Sequence, residues 1–486
     1  MKPMFAFCLL LLLAPRFALI SPAPQNDIPR GQIVEKVTCV QKPEQSYALY
    51  LPSNYDATRK WPVLYAFDPA ARGKLPVERF RDAAERFGWI VVGSNNSRNA
   101  AIQSSIEAWN AITRDTTERF SIDDRRAYAA GFSGGTRVSL LFASQCKDCL
   151  AGVIAGGAGF PEGVEPSTQM RFALFSSAGT EDFNFPEVKL LEEKLTRANI
   201  PHQIETFEGR HEWLPPSVAV DALAWMELMA MKSGLRPRDE KFVETRWNER
   251  LKQAHDLQNA NKAYDAYQIY LELASSFKDL RDVAEADSRL SLLRNSREVR
   301  DAIRDEQQQI KRQKELEGQI MQLICASERV KLQDDNAGAV GNAQSNVDEN
   351  LDANTRLQRV LTELRRQSKA EQDSSTRRVA RRVISGQYIG LFERGSNALQ
   401  NQKRYDEAVR FFTLATEIDP ERAGAFYYLA WAYSAKGDKK KSLKALQTAV
   451  EKGFSDTSAL DNNKAFDSLR DDPQYQKIVS TMKSGR

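Results

Sequence analysis

The sequence predicts an α/β protein: a mainly parallel sheet domain comes first and an all-α region follows it. Three observations carry this. Residues 31–235 alternate short, mostly apolar runs with stretches of helical periodicity, as in parallel sheets covered by helices on both faces. From about 240 onward glycine is sparse and charged helical periodicity dominates. Near the C-terminus, a pattern of small and large side chains returns after thirty-four positions.

In order along the chain, "QIVEKVTCV" and "SYALYLP" read as a leading hairpin. The apolar runs "WPVLYAFD", "WIVVGSNN", "RAYAAGFS", "AGVIAGGAG", "RFALFSSAG" and "HQIETFEG" follow as strands. Between several of them lie amphipathic stretches such as "VERFRDAAERFG", "IEAWNAITRDTTERF" and "FPEVKLLEEKLTRANI". Residues 280–333 form a long Gln/Glu/Lys/Arg-rich helix whose apolar positions include Val299, Leu316, Ile320 and Leu323. That spacing suits a helical hairpin or a loose coiled-coil seam. "DDNAGAVGNAQSNVDEN" (334–350) reads as a flexible loop, and a second long helix runs on to about 384.

With 486 residues, 42% of them hydrophobic and 28% charged, the chain is long enough for two or three separate cores. A net charge of +4 with no dense basic tract argues against a nucleic-acid binder held by phosphate contacts. The pairs Arg377-Arg378 and Arg381-Arg382 fall in a helical pattern and read as a solvated face. The opening MKPMFAFCLLLLLAP sets one lysine before an apolar run of about ten residues, too short to span a bilayer. It fits a secretory signal peptide at 1–23, so the protein is expected to be exported, periplasmic or secreted, with no integral membrane segment after cleavage. The remaining organisation is an α/β domain at 31–235, a helical region at 240–385, and repeats with a C-terminal cap at 386–486. Of the four cysteines left after cleavage, the pair in "SQCKDCL" either closes a small disulfide at a helix end or stays as two free thiols. Three scattered histidines and no second Cys-x-x-Cys point to no metal, and no cofactor is expected.

Residues Ser396, Leu399, Tyr405, Ala408, Phe412 and Ala415 recur thirty-four positions on as Ala430, Tyr433, Lys439, Ser442, Leu446 and Ala449. Small residues let two antiparallel helices cross closely while larger ones fill the groove beside them. Pro420 closes the first unit and Gly437 turns the second. The pattern resembles the tetratricopeptide repeat, which implies docking of a protein partner or self-association. "AYDAYQIYLELA" (263–274), with Ala266 and Tyr270, reads as an outlying unit.

"AYAAGFSGGTRVSL" places Ser133 between glycines where an apolar strand meets a helix. A serine hydroxyl needs a base to take its proton, and the base needs an acid to hold it. His255 lies beyond the α/β domain, and His202 opens the last strand, where a structural role suffices. His211 follows that strand in "FEGRHEW" and is the candidate base. Asp182, in the loop after the preceding strand, is the candidate acid, with Glu181 beside it as rival. The chain order Ser133, Asp182, His211 is that of α/β-hydrolases.

Taken together, "PVLYAFDPAARG", "AGFSGG", "AGTEDF" and "FEGRHEW" resemble the α/β-hydrolase superfamily, over about residues 33–232. Its polyhydroxybutyrate-depolymerase and feruloyl-esterase-like branch is the nearest. The resemblance implies that Ser133 attacks an ester carbonyl, His211 serves as base and then acid, Asp182 orients the imidazole, and water releases an acyl-enzyme. The family commonly carries His-Gly-x after its third strand to help hold the oxyanion; here Asp68-Pro69-Ala70 stands there. Proline has no N–H to give, so the Ala70 amide would act with that of Gly134. Losing one such donor costs on the order of 100-fold in rate. Asn95 and Asn96 after the fourth strand, and Trp213, are candidates to line the substrate site, though the asparagines equally suit a turn. Two functions follow: an exported serine hydrolase of carboxylic esters with a docking region, or a weak or inactive hydrolase-fold scaffold whose repeats bind a protein.

Overall fold

The computed structural model describes residues 28–99, 102–146, 148–336 and 343–484, with backbone alone for 328–336, 343–352 and 484. The signal peptide expected at 1–23 lies outside them. Eight strands are formed: β1 (Ile33–Thr38), β2 (Ser46–Tyr50), β3 (Trp61–Phe67), β4 (Ile90–Ser94), β5 (Ile122–Phe132), β6 (Gly152–Gly156), β7 (Ala173–Gly179) and β8 (His202–Phe207). They make one sheet in the order β1-β2-β4-β3-β5-β6-β7-β8. The pairs β1/β2 and β2/β4 are antiparallel and every other pair is parallel. The interior parallel strands β3, β4, β6 and β7 are buried along their whole length, which is why they read as unbroken apolar runs.

Helices α1 (Lys74–Phe87) and α5 (Pro216–Lys232) cover one face, packing Phe80 and Trp225, with Trp213 from the loop before α5, against Tyr128 and Phe175. Helices α2 (Ile102–Arg119), α3 (Gly134–Gln145) and α4 (Phe185–Arg197) cover the other. Immediately after α3, Cys146 and Cys149 are joined in a disulfide. Helix α5 is buried nearly all round, because α6 (Glu240–Asn259) and α7 (Ala263–Ser276) pack on its far side. Trp225 Nε1 donates to Ser276 Oγ across that seam at 2.9 Å. Buried Arg250 pairs there with Glu272 of α7 and with Asp221 of α5. The seam therefore joins sheet domain and helices through apolar packing and ion pairs together.

Beyond it come α8 (Ala284–Arg294), α9 (Arg297–Asn336), α10 (Ala343–Ser368) and α11 (Ser375–Ser396). Leu316 and Ile320 of α9, Leu357 and Leu361 of α10, and Val379 and Val383 of α11 share one core. Two expectations are corrected here. The stretch 334–350 is helical at both ends, with α9 continuing to Asn336 and α10 starting at Ala343; the residues between lie outside those described. The single long helix expected up to 384 is two. Ser374 restarts the backbone as α11, its hydroxyl accepting from the Arg377 N–H at 3.2 Å.

Helices α12 (Tyr405–Ile418), α13 (Ala423–Lys436) and α14 (Lys439–Glu451) form the repeats, followed by α15 (Thr457–Asp461) and α16 (Pro473–Ser484). Ala408, Phe412 and Ala415 on α12 and Ser442, Leu446 and Ala449 on α14 are fully buried, as the thirty-four-residue period requires. Gly437 closes α13 at φ +90°, a left-handed cap that glycine adopts without strain. Among the described residues no helix is long and apolar enough to cross a membrane.

Candidate active site

Ser133 sits at the C-terminal end of β5, with β3 and β6 on either side. Its backbone is left-handed, at φ 52° and ψ −119°, a conformation that costs a non-glycine residue energy. The surroundings impose it. The Ser133 N–H donates to Gly156 O at 2.8 Å, and the Ser133 carbonyl accepts from Thr136 N at 3.0 Å. The two outer glycines allow so sharp a bend: a Cβ on Gly131 would strike the Gly135 carbonyl, and one on Gly135 would strike the Phe67 carbonyl. Gly134 opens α3, so its amide is one of the N–H groups a helix leaves without an internal partner.

The other two residues stand on the loops after β7 and β8. Those loops prolong the strand pairing: Thr180 N donates to Phe207 O and Glu181 N to Gly209 O, both at 2.8 Å. Asp182 is fully buried. Its Oδ1 lies 2.8 Å from Nδ1 of His211 and accepts from the Asn184 N–H at the same distance. Its Oδ2 is buried without a hydrogen-bond partner. With Nδ1–H donating to Asp182, Nε2 of His211 is left with a free lone pair. The imidazole lies between two rings, 4.5 Å from that of Phe132 and 4.1 Å from that of Phe183. Phe132 immediately precedes Ser133, which brings the three candidate residues to one end of the sheet. Among the described residues no hydrogen bond joins Ser133 to His211.

Gly157 fits beneath this group at φ +60°. A Cβ there would lie 2.8 Å from Asp182 Oδ2, 2.9 Å from Phe132 Cε2 and 3.2 Å from His211 Cε1. Its carbonyl accepts from Asn184 Nδ2 at 2.7 Å, fixing the residue that in turn holds Asp182.

The loop after β3 departs from expectation. The Ala70 N–H is already engaged, donating to Asp68 Oδ1 at 2.8 Å. Asp68 is fully buried and also accepts from both Arg72 Nε and Nη2 at 2.9 Å and from Trp213 Nε1 at 2.8 Å. Burial opposes its charge, but the Arg72 guanidinium, the indole and the Ala70 amide outweigh burial and hold the carboxyl below its ordinary value. Trp213 is accordingly core rather than lining, 3% exposed with its N–H spent on Asp68. Asn95 and Asn96 do not line the site either. Asn95 Nδ2 donates to Glu35 O at 3.1 Å, while Asn96 accepts from Ser46 N at 2.9 Å and donates to Glu44 O at 3.0 Å. Both pin the first hairpin to β4. The residue missed from this stretch is Asn99, whose carboxamide lies over Gly134 and whose N–H is fixed to Pro69 O at 2.8 Å. The three asparagines and two serines in "GSNNSRN" look alike in sequence, and the pairing of Ala70 with Arg98 is what aims this one.

Glu181, the rival acid, faces away from His211 toward α11: Arg381 Nη1 donates to its Oε1 at 2.7 Å and its Oε2 at 2.9 Å. The arginine pairs of α11 are therefore not a solvated face. Arg382 is 1% exposed.

Residues 82–225 match the dienelactone hydrolase family, and residues 399–462 match the tetratricopeptide repeat. No curated protein matches the chain. Among solved structures, an S-formylglutathione hydrolase from Staphylococcus aureus is 17% identical over 41% of this chain and 98% of its own, with a TM-score of 0.33. A ferulic acid esterase is 17% identical over 41% and 98%, at 0.35. The feruloyl esterase module from Clostridium thermocellum is 17% identical over 42% and 88%, at 0.30. The chain thus carries a domain of the α/β-hydrolase fold, matched by the dienelactone hydrolase family, with tetratricopeptide repeats C-terminal to it.

Proposed function

We propose that the protein is an exported serine hydrolase of carboxylic esters. The observation that carries this is the 2.8 Å contact between buried Asp182 and His211, beside a serine on a left-handed bend. In this reading Ser133 Oγ attacks the ester carbonyl and passes its proton to Nε2 of His211, whose Nδ1–H stays on Asp182. The oxyanion meets the Gly134 N–H at the positive end of α3 and the carboxamide of Asn99. His211 then protonates the departing alcohol, and water, activated by the same imidazole, releases the acid from Ser133. The repeats serve to dock a protein partner or a second copy. Export is supported by the single lysine and short apolar run of the opening residues, and is checked by the mature N-terminus of protein recovered outside the cytoplasm. A fluorophosphonate probe is expected to label the protein, but not Ser133→Ala. Well-folded protein that takes no label and turns over no ester overturns the reading.

The inactive-scaffold reading is favoured by one observation, the Ala70 amide committed to Asp68. It calls for unlabelled protein that still captures a partner through residues 240–486.

A further inference from the structure

The loop bearing Asp182 is gripped from outside its own domain, residue after residue. Arg382 of α11 donates from Nε to the Thr180 carbonyl at 2.7 Å, adds Nη2 to the same oxygen, and lays its guanidinium 3.7 Å over the Phe185 ring. Arg381 donates through Nη1 to both carboxylate oxygens of Glu181, and Arg377 reaches the same carboxylate at 3.5 Å. From α9, Gln313 Nε2 donates to the Phe183 carbonyl at 2.8 Å. Gly386 lets α11 come close to Phe183, since a Cβ there would lie 3.1 Å from the phenylalanine Cβ. Phe183 in turn carries the His211 ring. Asp182 is thus the centre of a loop whose flanks are held by helices of the C-terminal half.

A buried guanidinium is costly unless something repays its lost hydration. Arg382 has no carboxylate fork: its partners are a carbonyl and a ring, and Nη1 is buried without a hydrogen bond. The charges around it are Glu181 and Asp182 on the loop, Glu306 on α9 and Arg378 on its own helix. Burial and the like charge of Arg378 pull the guanidinium down to about 10 against the three anions, so it stays a cation at neutral pH, and two of those anions belong to the acid loop.

We propose that Arg381 and Arg382 are positioning residues of the hydrolase site, so that turnover depends on a clamp supplied by the helical region. This rests on Ser133, His211 and Asp182 being the reacting set. Small displacements of a catalytic group cost rate steeply, so the clamp acts on the chemical step and not on ester binding. The same helix continues into the repeats, where Gly395 packs against Phe412 of α12, so whatever docks there bears on the loop through one rigid rod.

The test uses full-length Arg382→Met, Arg382→Lys and Arg381→Met, with Arg378→Met as control. Steady-state turnover of a p-nitrophenyl ester is followed beside the rate and the final stoichiometry of fluorophosphonate labelling at Ser133. The two methionine variants are expected to lose about tenfold to a hundredfold in kcat and in labelling rate, with KM and stoichiometry held. Arg382→Lys should be intermediate, and Arg378→Met within about twofold of wild type. Arg381 is partly exposed, so its variant folds even where a change at Arg382 does not. Wild-type rates in both Arg381→Met and Arg382→Met overturn the inference. So does a fall in stoichiometry at unchanged rate, which marks a merely structural role. An unlabelled wild type overturns the hydrolase reading itself, and the inference with it.

Discussion

Gly157→Ala is the most discriminating single change. At φ +60° an alanine carries the left-handed penalty of about 1–2 kcal/mol. Its methyl would also stand 2.8 Å from Asp182 Oδ2, 2.9 Å from Phe132 Cε2 and 3.2 Å from His211 Cε1. Ordinary contact begins near 3.4 Å, so the carboxylate must retreat by roughly half an ångström and the two rings by a few tenths. A misplacement of about 1 Å costs on the order of 100-fold, so kcat/KM is expected to fall about tenfold or more. Gly163→Ala is the matched control, because its φ is +79° yet nothing lies within 4 Å of the added Cβ. Both variants should lose stability in thermal unfolding through the backbone penalty, and only Gly157→Ala should lose turnover and labelling rate. If Gly157→Ala hydrolyses a p-nitrophenyl ester as fast as Gly163→Ala and wild type, the reasoning that places the reacting groups over Gly157 is refuted.

Four further outcomes are expected. Asp182→Asn keeps the shape of the loop but removes the negative charge that holds the His211 tautomer and would stabilise an imidazolium, so kcat should drop on the order of 10⁴-fold while thermal stability changes little. Asn99→Ala should lower kcat about tenfold to a hundredfold with KM nearly constant, since a side-chain donor to an oxyanion acts in the transition state. Asp68→Asn should lose about 1.5–3 kcal/mol at neutral pH in denaturant unfolding, because a fully buried carboxylate gives up charged bonds to Arg72 and Trp213. The folded carboxyl titrates below its ordinary value of 3.8, so this gap is fully present above that value and closes as pH falls through the folded one. Iodoacetamide should modify exposed Cys325 before Cys39, whose thiol is pushed up to about 12 by burial and by the nearby Asp115 carboxylate.

The sheet was legible because parallel strands covered on both faces leave an unmistakable trace: short apolar runs cut by glycine, such as "AGVIAGGAG" for β6. The candidate base was legible because the chain has only three histidines. Helix α5 left no amphipathic signature, since α6 and α7 bury the face that would otherwise be polar. The loop after β3 is not legible for a different reason. Whether Ala70 presents its N–H depends on Asp68, and the position of Asp68 depends on Trp213, 145 residues away. The place of Asn95 and Asn96 after a strand suits a site or a turn alike, and their carboxamides are matched to backbone groups of the first hairpin. Local pattern reports which face of an element is apolar; it does not report which distant polar group a side chain will satisfy.

The arginine pairs of α11 carry that lesson into function. Four cations in six residues on a helix suggest water, because the cheapest environment for an isolated charge is solvent. Arg382 is nonetheless 1% exposed, and its neighbour donates through Nη1 to both oxygens of a glutamate 200 residues earlier. Burying such a group without a carboxylate fork is worthwhile only where its donors hold something that would otherwise move, and what they hold is the Thr180 carbonyl, two residues before Asp182. The seam on α5, apolar packing together with the Arg250 ion pairs, already attaches the helices to the sheet domain. A second attachment falls on the acid loop, and on the proposed reading its placement serves the geometry of Asp182 and His211. On the proposed reading, sheet domain and helical region act as one catalytic unit, and separating them should cost activity before it costs the fold of the sheet.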